Sequence, residues 1–444
     1  MGQIKKPYKT RLDNRYWMGQ MKDKLKISVG TSTKKNSYEA GKELAETIIK
    51  EIKEVPDLIL LFSTLDYKNH GGLENILKGV LDVLPEKTKL AGGTVPGFVN
   101  KKGCYASGVT VMALKYPNMN ISIGIGKNTK RSPKKAAKQT INQIKSNLKN
   151  EYNNNFIISI ISGARNPDLP GVKNTNIINS KVKAKIMLPM FTFFQKTAQK
   201  GFGKEQEILE EIIKELPNFN IIHSSSYSSA PSYENYQFYN DKVLTEHAVI
   251  VAIETDLEFK LDFATGAKKT NRNIEITKIN RQRTVLKKLN SNPALTEYIE
   301  KLGWNKEKFQ DYKWSHITEK YPFAYYKNKK IILRTPLLIL GEYMGLSTKI
   351  EEKDVFIAEI TQEQMVDSVD EILTIDQPIF GFFTSCIARR DLMGIKIFQV
   401  QEKLKNYFDD KDFLLIFSAG EAIYKPDEGF YFLNETITSA IFKE

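Results

Sequence analysis

The sequence holds few of the residues that most often carry chemistry: two cysteines, four histidines and three tryptophans in 444 residues. Cys104 and Cys386 lie far apart in the chain, so neither a disulfide framework nor a zinc-type ligand spacing is indicated, and no metal or other cofactor is expected. No apolar run approaches the roughly 18 residues of a membrane span, and the opening MGQIKKPYKT lacks the apolar core of a signal peptide. Lys6 stands where a myristoylation pattern after Gly2 requires Ser or Thr. These absences lead to the expectation of a cytoplasmic protein with no membrane span.

Positive charge is in excess, with 66 Lys and Arg against 52 Asp and Glu, a formal net charge of +14. Part of it is concentrated in residues 1–26, read as a basic flexible arm that carries Tyr16, Trp17 and Met18, and in residues 127–138. Nucleic-acid binding through the basic arm is one function this allows. The rest of the charge is spread evenly, as on a solvated lysine-rich surface. A hydrophobic fraction of 41% in a chain this long is enough for two cores rather than one.

Periodicity points to an α/β fold with mixed sheets: a duplicated N-terminal α/β domain followed by a second α/β domain. Residues 57–62 (DLILLF) have the unbroken apolar run of a buried strand. Ser37 is the expected cap of a helix over residues 38–52 that sets Leu44, Ile48 and Ile52 on one stripe. Residues 107–114 and 120–125 are expected to pair as a hairpin across Tyr116, Pro117 and Asn118. LDVLPEKTKLAGGT from Leu81 has the same shape as IKELPNFNIIHSSS from Ile213, a helix ending in Leu-Pro, then a short strand and a turn of small residues. The expected division is the arm at 1–26, two degenerate repeats over 27–275 and a second domain over 276–444. Asn292 before Pro293 is the expected start of a helix opening that second domain. Residues 170–202 interrupt the second repeat with an apolar stretch, read as packing, a lid or a partner surface.

The densest polar signals lie in residues 378–421. Two aromatic-rich apolar runs, residues 379–383 and 413–417, flank a segment expected to be helical over 394–408, with Ile395, Ile397, Phe398, Val400, Leu404 and Phe408 on one face. Parallel neighbouring strands would set Ser385, Cys386, Arg389 and Arg390 beside Ser418, Gly420 and Glu421, in the crevice beyond the strands' carboxyl ends. A guanidinium pair and a carboxylate there suit a small zwitterion, whereas a structural ion pair between Arg389 and Glu421 is the alternative. Cys386 is the candidate nucleophile if its neighbouring arginines lower its pKa, and a packed thiol otherwise.

The run FTSCIAR over 383–389, Gly420-Glu421 and Asn434-Glu435-Thr436 resemble the C-terminal part of the FIST family. AGGTVPGFV over 91–99 resembles the glycine-bounded turn of that family's N-terminal part, and residues 275–298 resemble the joining segment. The resemblance implies a FIST N plus FIST C pairing, a prokaryotic sensory protein that binds a small ligand such as an amino acid. It also implies a separate signalling protein as output partner, because the family-like region fills the chain. By this resemblance and by position, the ligand-binding candidates are Cys386, Arg389, Gly420, Glu421, Asn434 and Thr436, with Gly92, Thr94 and Gly97 in the N-terminal turn. A small-residue turn over 223–229 corresponds to that turn in the second repeat, so His223 either lines the same cleft or merely ends a strand. The chain departs from the family at Leu415 to Phe417, where Gly-Phe-Tyr is usual, and at Leu433, where His is usual. A Cys386-dependent enzyme acting on a small substrate is the alternative activity.

Overall fold

In the computed structural model the described residues are 25–85, 87–165, 177–178, 193, 196–228, 233–305 and 314–443. The basic arm and most of the 170–202 insertion lie outside them. Among the described residues no helix is long and apolar enough to cross a membrane.

The chain builds one α/β unit three times. The first comprises β1 (Lys26–Ser32), α1 (Ser37–Ile52), β2 (Leu58–Ser63), α2 (Leu73–Leu81), β3 (Lys89–Thr94), the hairpin β4 (Phe98–Asn100) and β5 (Gly103–Tyr105), and β6 (Val109–Lys115). The second repeats the order as β7 (Met119–Lys127), α3 (Pro133–Lys145), β8 (Asn154–Ser162), the short β9 (Ile177–Ile178), α4 (Glu205–Glu215), β10 (Asn220–Ser226), the hairpin β11 (Gln237–Tyr239) and β12 (Lys242–Leu244), and β13 (His247–Thr255).

The third unit starts at β14 (Glu258–Ala264) and is at once interrupted by an inserted sheet. That sheet holds β15 (Lys268–Ile279), β16 (Val285–Leu289), β17 (Asn292–Pro293), β18 (Phe323–Lys327), β19 (Lys330–Arg334), β20 (Pro336–Leu340), β21 (Tyr343–Leu346) and β22 (Asp354–Glu359), joined along β20 by β9 of the second unit, with α5 (Ala294–Lys301) and α6 (Trp314–Lys320). The unit resumes with α7 (Gln362–Asp367), β23 (Pro378–Cys386), α8 (Ile387–Met393), α9 (Ile397–Phe408), β24 (Phe413–Ser418), the hairpin β25 (Glu421–Lys425) and β26 (Gly429–Leu433), and β27 (Ile437–Lys443).

Strand pairing makes the repetition explicit. The three sheets run β1-β6-β2-β3, β7-β13-β8-β10 and β14-β27-β23-β24. In each the first two pairings are antiparallel and the last is parallel. Each unit lends its hairpin to a neighbour's sheet: β11-β12 extends the first, β25-β26 the second and β4-β5 the third. The duplicated arrangement expected from the sequence is therefore present, and the topology adds a third copy. The sheets face one another across a shared core that takes Phe62 and Met112 from the first, Phe156 and Val251 from the second, and Phe382 and Phe442 from the third. The helices cover the outer faces, α1 and α2 through Leu44, Ile48, Ile76 and Val80, and α3 and α4 through Ile141, Ile144, Ile208 and Ile212.

Several local expectations are corrected. β6 and β7 do not form a hairpin: β6 already has β1 and β2 on its two edges, so the turn after it carries the chain into the next sheet. The cap of α1 is Asn36, whose side chain accepts from the Glu39 amide at 3.0 Å, while Ser37 bonds back to the carbonyls of Tyr67 and His70. α5 opens at Ala294, and Asn292 donates to Glu297 instead of capping it. The segment read as one helix over 394–408 is a short 3-10 turn followed by α9; Ile395 in the turn is 82% exposed, and Phe398, off the buried stripe of Ile397, Val400, Leu404 and Phe408, is 53% exposed. Residues 275 and 276 lie within β15, and β14 pairs with β27.

Candidate functional site

The parallel pair at the heart of each unit ends in residues bearing a hydroxyl or thiol. Ser63 is opposite Thr94, Ser162 opposite Ser226, and Cys386 opposite Ser418. All six are buried. The turns that follow are tied to one another across units: the Tyr227 amide donates to Thr94 O at 3.0 Å, Phe417 to Gly97 O at 3.0 Å, and Ser225 to Gly420 O at 3.0 Å. Arg390 reaches across to Pro96 O at 2.5 Å and lies over the Phe417 ring. The strand ends of all three units thus converge, as the crevice rule for open α/β sheets requires of each unit separately.

Just before the last strand of each unit the backbone turns with positive φ, at Gly108 (151°), Glu246 (56°) and Glu435 (53°). A left-handed conformation is uncommon for a residue other than glycine and draws attention to what holds it there. Glu246 accepts from the buried Lys130 at 2.6 Å, and Lys130 also donates to Ser162 Oγ at 3.1 Å. Among the described residues Glu435 makes no such ion pair. Thr335 of the inserted sheet donates to Glu435 Oε1, and Glu435 Oε2 is buried without a hydrogen-bond partner.

Around Glu435 the third unit assembles most of the residues that the sequence singles out. The Cys386 amide donates to Thr436 O at 2.9 Å. Ser418 Oγ donates to Glu421 Oε1 at 2.5 Å, and Thr436 Oγ1 to Glu421 Oε2 at 3.4 Å. Asn434 sits at the edge of this group and accepts from Ser347 Oγ at 2.9 Å. Gly420 packs so closely on Ser225 that a Cβ there would stand 2.8 Å from its hydroxyl.

Arg389 is 0% exposed, and its guanidinium donates only to neutral acceptors: Thr265 O at 2.9 Å, Met365 O at 2.6 Å and Ser368 Oγ at 3.0 Å. Its Nε is buried and unpartnered. It forms no ion pair with Glu421. Burial lowers the guanidinium to about 10, and burial raises Glu421 to about 8 and Glu435 well above the usual carboxylate range.

Burial, with the Glu421 and Glu435 carboxyls beside it, also pushes the Cys386 thiol well up, opposite to the lowering that a nucleophile needs. In native protein held at a pH of about 8.5, where an ordinary thiol is half ionised, iodoacetamide is therefore expected to label Cys386 no faster than the chain unfolds. Peptide mass spectrometry reads this out, and labelling of Cys386 ahead of the half-buried Cys104 would contradict it.

The N-terminal candidates belong to the same convergence without lining an open anion nest. The Thr94 and Val95 amides are engaged by Tyr236 O at 2.9 Å and Ser63 O at 2.9 Å. Gly92 lies inside β3, where a Cβ would run into Leu61 O, and Gly97 has φ 156° against Tyr105 O. His223 sits within β10, fully buried between Ser159 Oγ at 3.1 Å and Ser225 Oγ at 3.3 Å, so it packs in the sheet. Reading the sequence missed Glu435, Thr335 and the Lys130, Glu246 and Ser162 group. Matching the third unit to the first two would have exposed them, because Glu246 and Glu435 hold the same place in their units. Among the described residues no cluster of His, Cys, Asp and Glu is arranged to hold a metal ion.

No curated protein sequence matches the chain. Among solved structures, one described as "Cyanuric acid hydrolase: evolutionary innovation by structural concatenation" aligns at 8% identity and a TM-score of 0.33, over 95% of this chain and all of the other (100%). A cyanuric acid hydrolase from A. caulinodans aligns at 6% identity and 0.34, with the same coverage of 95% and 100%. PurLQS from Thermotoga maritima aligns at 12% identity and 0.19, over 95% of this chain and 72% of that one. The FIST N domain model matches residues 57–292, more than half of the sequence, and the chain belongs to the FIST N domain family.

Proposed function

We propose that this chain is a small-molecule-binding sensory protein whose C-terminal part is FIST C-like, and that it works in the cytoplasm through a separate signalling protein. The ligand is held where β23, β24, β25 and β27 come together, by Arg389, Glu421, Thr436 and their neighbours. The observation that carries this reading is a buried guanidinium with no anionic partner and an unpartnered Nε, beside two carboxyls of which one has an unpartnered oxygen. Leaving an ionised or strongly polar group unmatched in the interior costs several kcal/mol, so such a constellation is kept where something completes it. A compact molecule with an acidic group and hydrogen-bond donors, such as an amino acid, completes it.

A thermal-shift screen against amino acids, nucleotides and small carboxylates tests the reading. A ligand at about 100 times its Kd is expected to add about 2.7 kcal/mol to the unfolding free energy. That shift is expected to vanish in Arg389→Lys, which loses the planar donor fork, and in Glu421→Gln. No shift with any compound, or a shift that survives both substitutions, would overturn it. Signalling further requires that the ligand bind two conformations with different affinity.

A further inference from the structure

A second, open site lies on the far side of the residues that hold Arg389. The inserted sheet and the third unit enclose a cleft of about 570 Å³ between the end of β14, the β18–β19 turn and the segment from α7 to Glu371. Thr265 and Ser368, which hold the guanidinium, stand in its wall.

The charges in this cleft are sorted by wall. Lys268, Lys329 and Lys330 come from the side of the inserted sheet, and Asp367 and Glu371 from the side of the helix. Lys330 is taken by Asp262. Among the described residues Lys268, Lys329, Asp367 and Glu371 form no ion pair, so two cations face two carboxylates across open space. Tyr326, 49% exposed, adds aromatic surface to the cation-bearing side.

Two features choose the occupant. The balance of charge disfavours a polyphosphate, which two lysines would attract and two carboxylates repel, and favours a molecule with one charge of each sign at its two ends. The volume lies within the roughly 300–1,000 Å³ of sites for ligands of several hundred daltons, well beyond a single amino acid. We infer that the cleft binds a short peptide with free termini, its ammonium group against Asp367 and Glu371, its carboxylate against Lys268 and Lys329, and a side chain against Tyr326. Isolated exposed pairs are weak, but charges of one sign lining a concave wall focus the field on a ligand that spans the gap.

Calorimetric titration of the full chain with trialanine and trileucine tests this. Both are expected to bind, and acetylation of the amino end or amidation of the carboxyl end is expected to weaken binding by about tenfold or more, a lost charge-assisted contact. The same loss is expected in Lys268→Ala/Lys329→Ala and in Asp367→Asn/Glu371→Gln; all four residues are exposed, and a circular-dichroism melt verifies folding. Absence of binding, or binding indifferent to blocked termini or to both double variants, overturns the inference. Running the amino-acid thermal-shift screen on the same double variants separates the two sites. A shift retained there without peptide binding sinks the cleft alone, and peptide binding without any amino-acid shift sinks the buried site alone.

Discussion

Phe442→Ala is expected to lower the unfolding free energy by about 3–5 kcal/mol, the range for truncating a buried aromatic ring. Phe442 lies on β27, which is flanked by β14 and β23, so neither edge of its strand is free to adjust. Its ring stacks on Phe380 with centroids 4.2 Å apart and planes 7° apart, meets Phe156 edge-on at 5.5 Å, and leans on Phe259 at 5.5 Å. Phe156 belongs to the second unit, and Leu58 and Met112 of the first line the same small internal void. The substitution therefore opens a hole where three sheets meet, and main chain paired on both sides cannot collapse into it. Denaturant titration reads the result as a lower midpoint at unchanged slope. Phe398→Ala, on the exposed side of α9, is expected to stay within about 0.5 kcal/mol. Comparable losses for both would mean that the shared core does not hold the units together.

This centre was partly legible in the sequence. Runs such as LILLF and FLLIF leave little besides a strand buried on both faces, and both are buried throughout in β2 and β24. The two Leu-Pro helix ends exposed the first two units because their spacing is kept. The third copy was hidden for a physical reason: the inserted sheet, 268–359, falls between its first strand and first helix, so the period that identifies a repeat is lost. The hairpin expected across Tyr116 failed because turn chemistry reports only that the chain reverses, and says nothing of which strand already occupies the neighbouring edge.

The candidate site was legible to the same degree. Cys386, Arg389 and Glu421 were placed by the strand, helix, strand pattern and Thr436 by the family resemblance; the Cys386 amide bonds Thr436 O, and Thr436 Oγ1 bonds Glu421. Of the Asn434-Glu435-Thr436 run only Asn434 and Thr436 are candidates by sequence; Glu435 is set apart by its left-handed backbone and its burial, which only the fold shows. Lys130 was lost in the same way, inside a basic stretch that resembles a surface, although its ammonium is enclosed between Glu246 and Ser162. In both cases an inserted or neighbouring segment supplies the burial, and local sequence carries no trace of it.

Stability is expected to fall as the pH rises from about 5 to about 8, with the slope set by buried carboxyls that stay protonated in the folded chain. Glu421 titrates at about 8 when folded against 4.5 as its ordinary value, Glu319 likewise at about 8, and Glu435 is raised in the same direction, each through burial. Above 4.5 the unfolded chain has released these protons and the folded chain has not, so each added pH unit favours unfolding until the folded carboxyls ionise. The slope is about 1.4 kcal/mol per pH unit for each such group. His223 acts in the opposite sense: burial lowers it to about 3, so below its ordinary 6.5 the unfolded chain alone gains the proton and stability falls with falling pH. Between 4.5 and 6.5 His223 opposes Glu421, Glu319 and Glu435, so the net slope of these four groups is downward with rising pH. Glu421→Gln removes one of these protons, so the stability difference between variant and parent should shift in the variant's favour by about 1.4 kcal/mol for each pH unit between the two values. Denaturation midpoints measured across that window decide the matter. Parallel profiles for variant and parent would mean that Glu421 is already ionised at neutral pH, and the neutral carboxyl facing Arg389 would have to be given up.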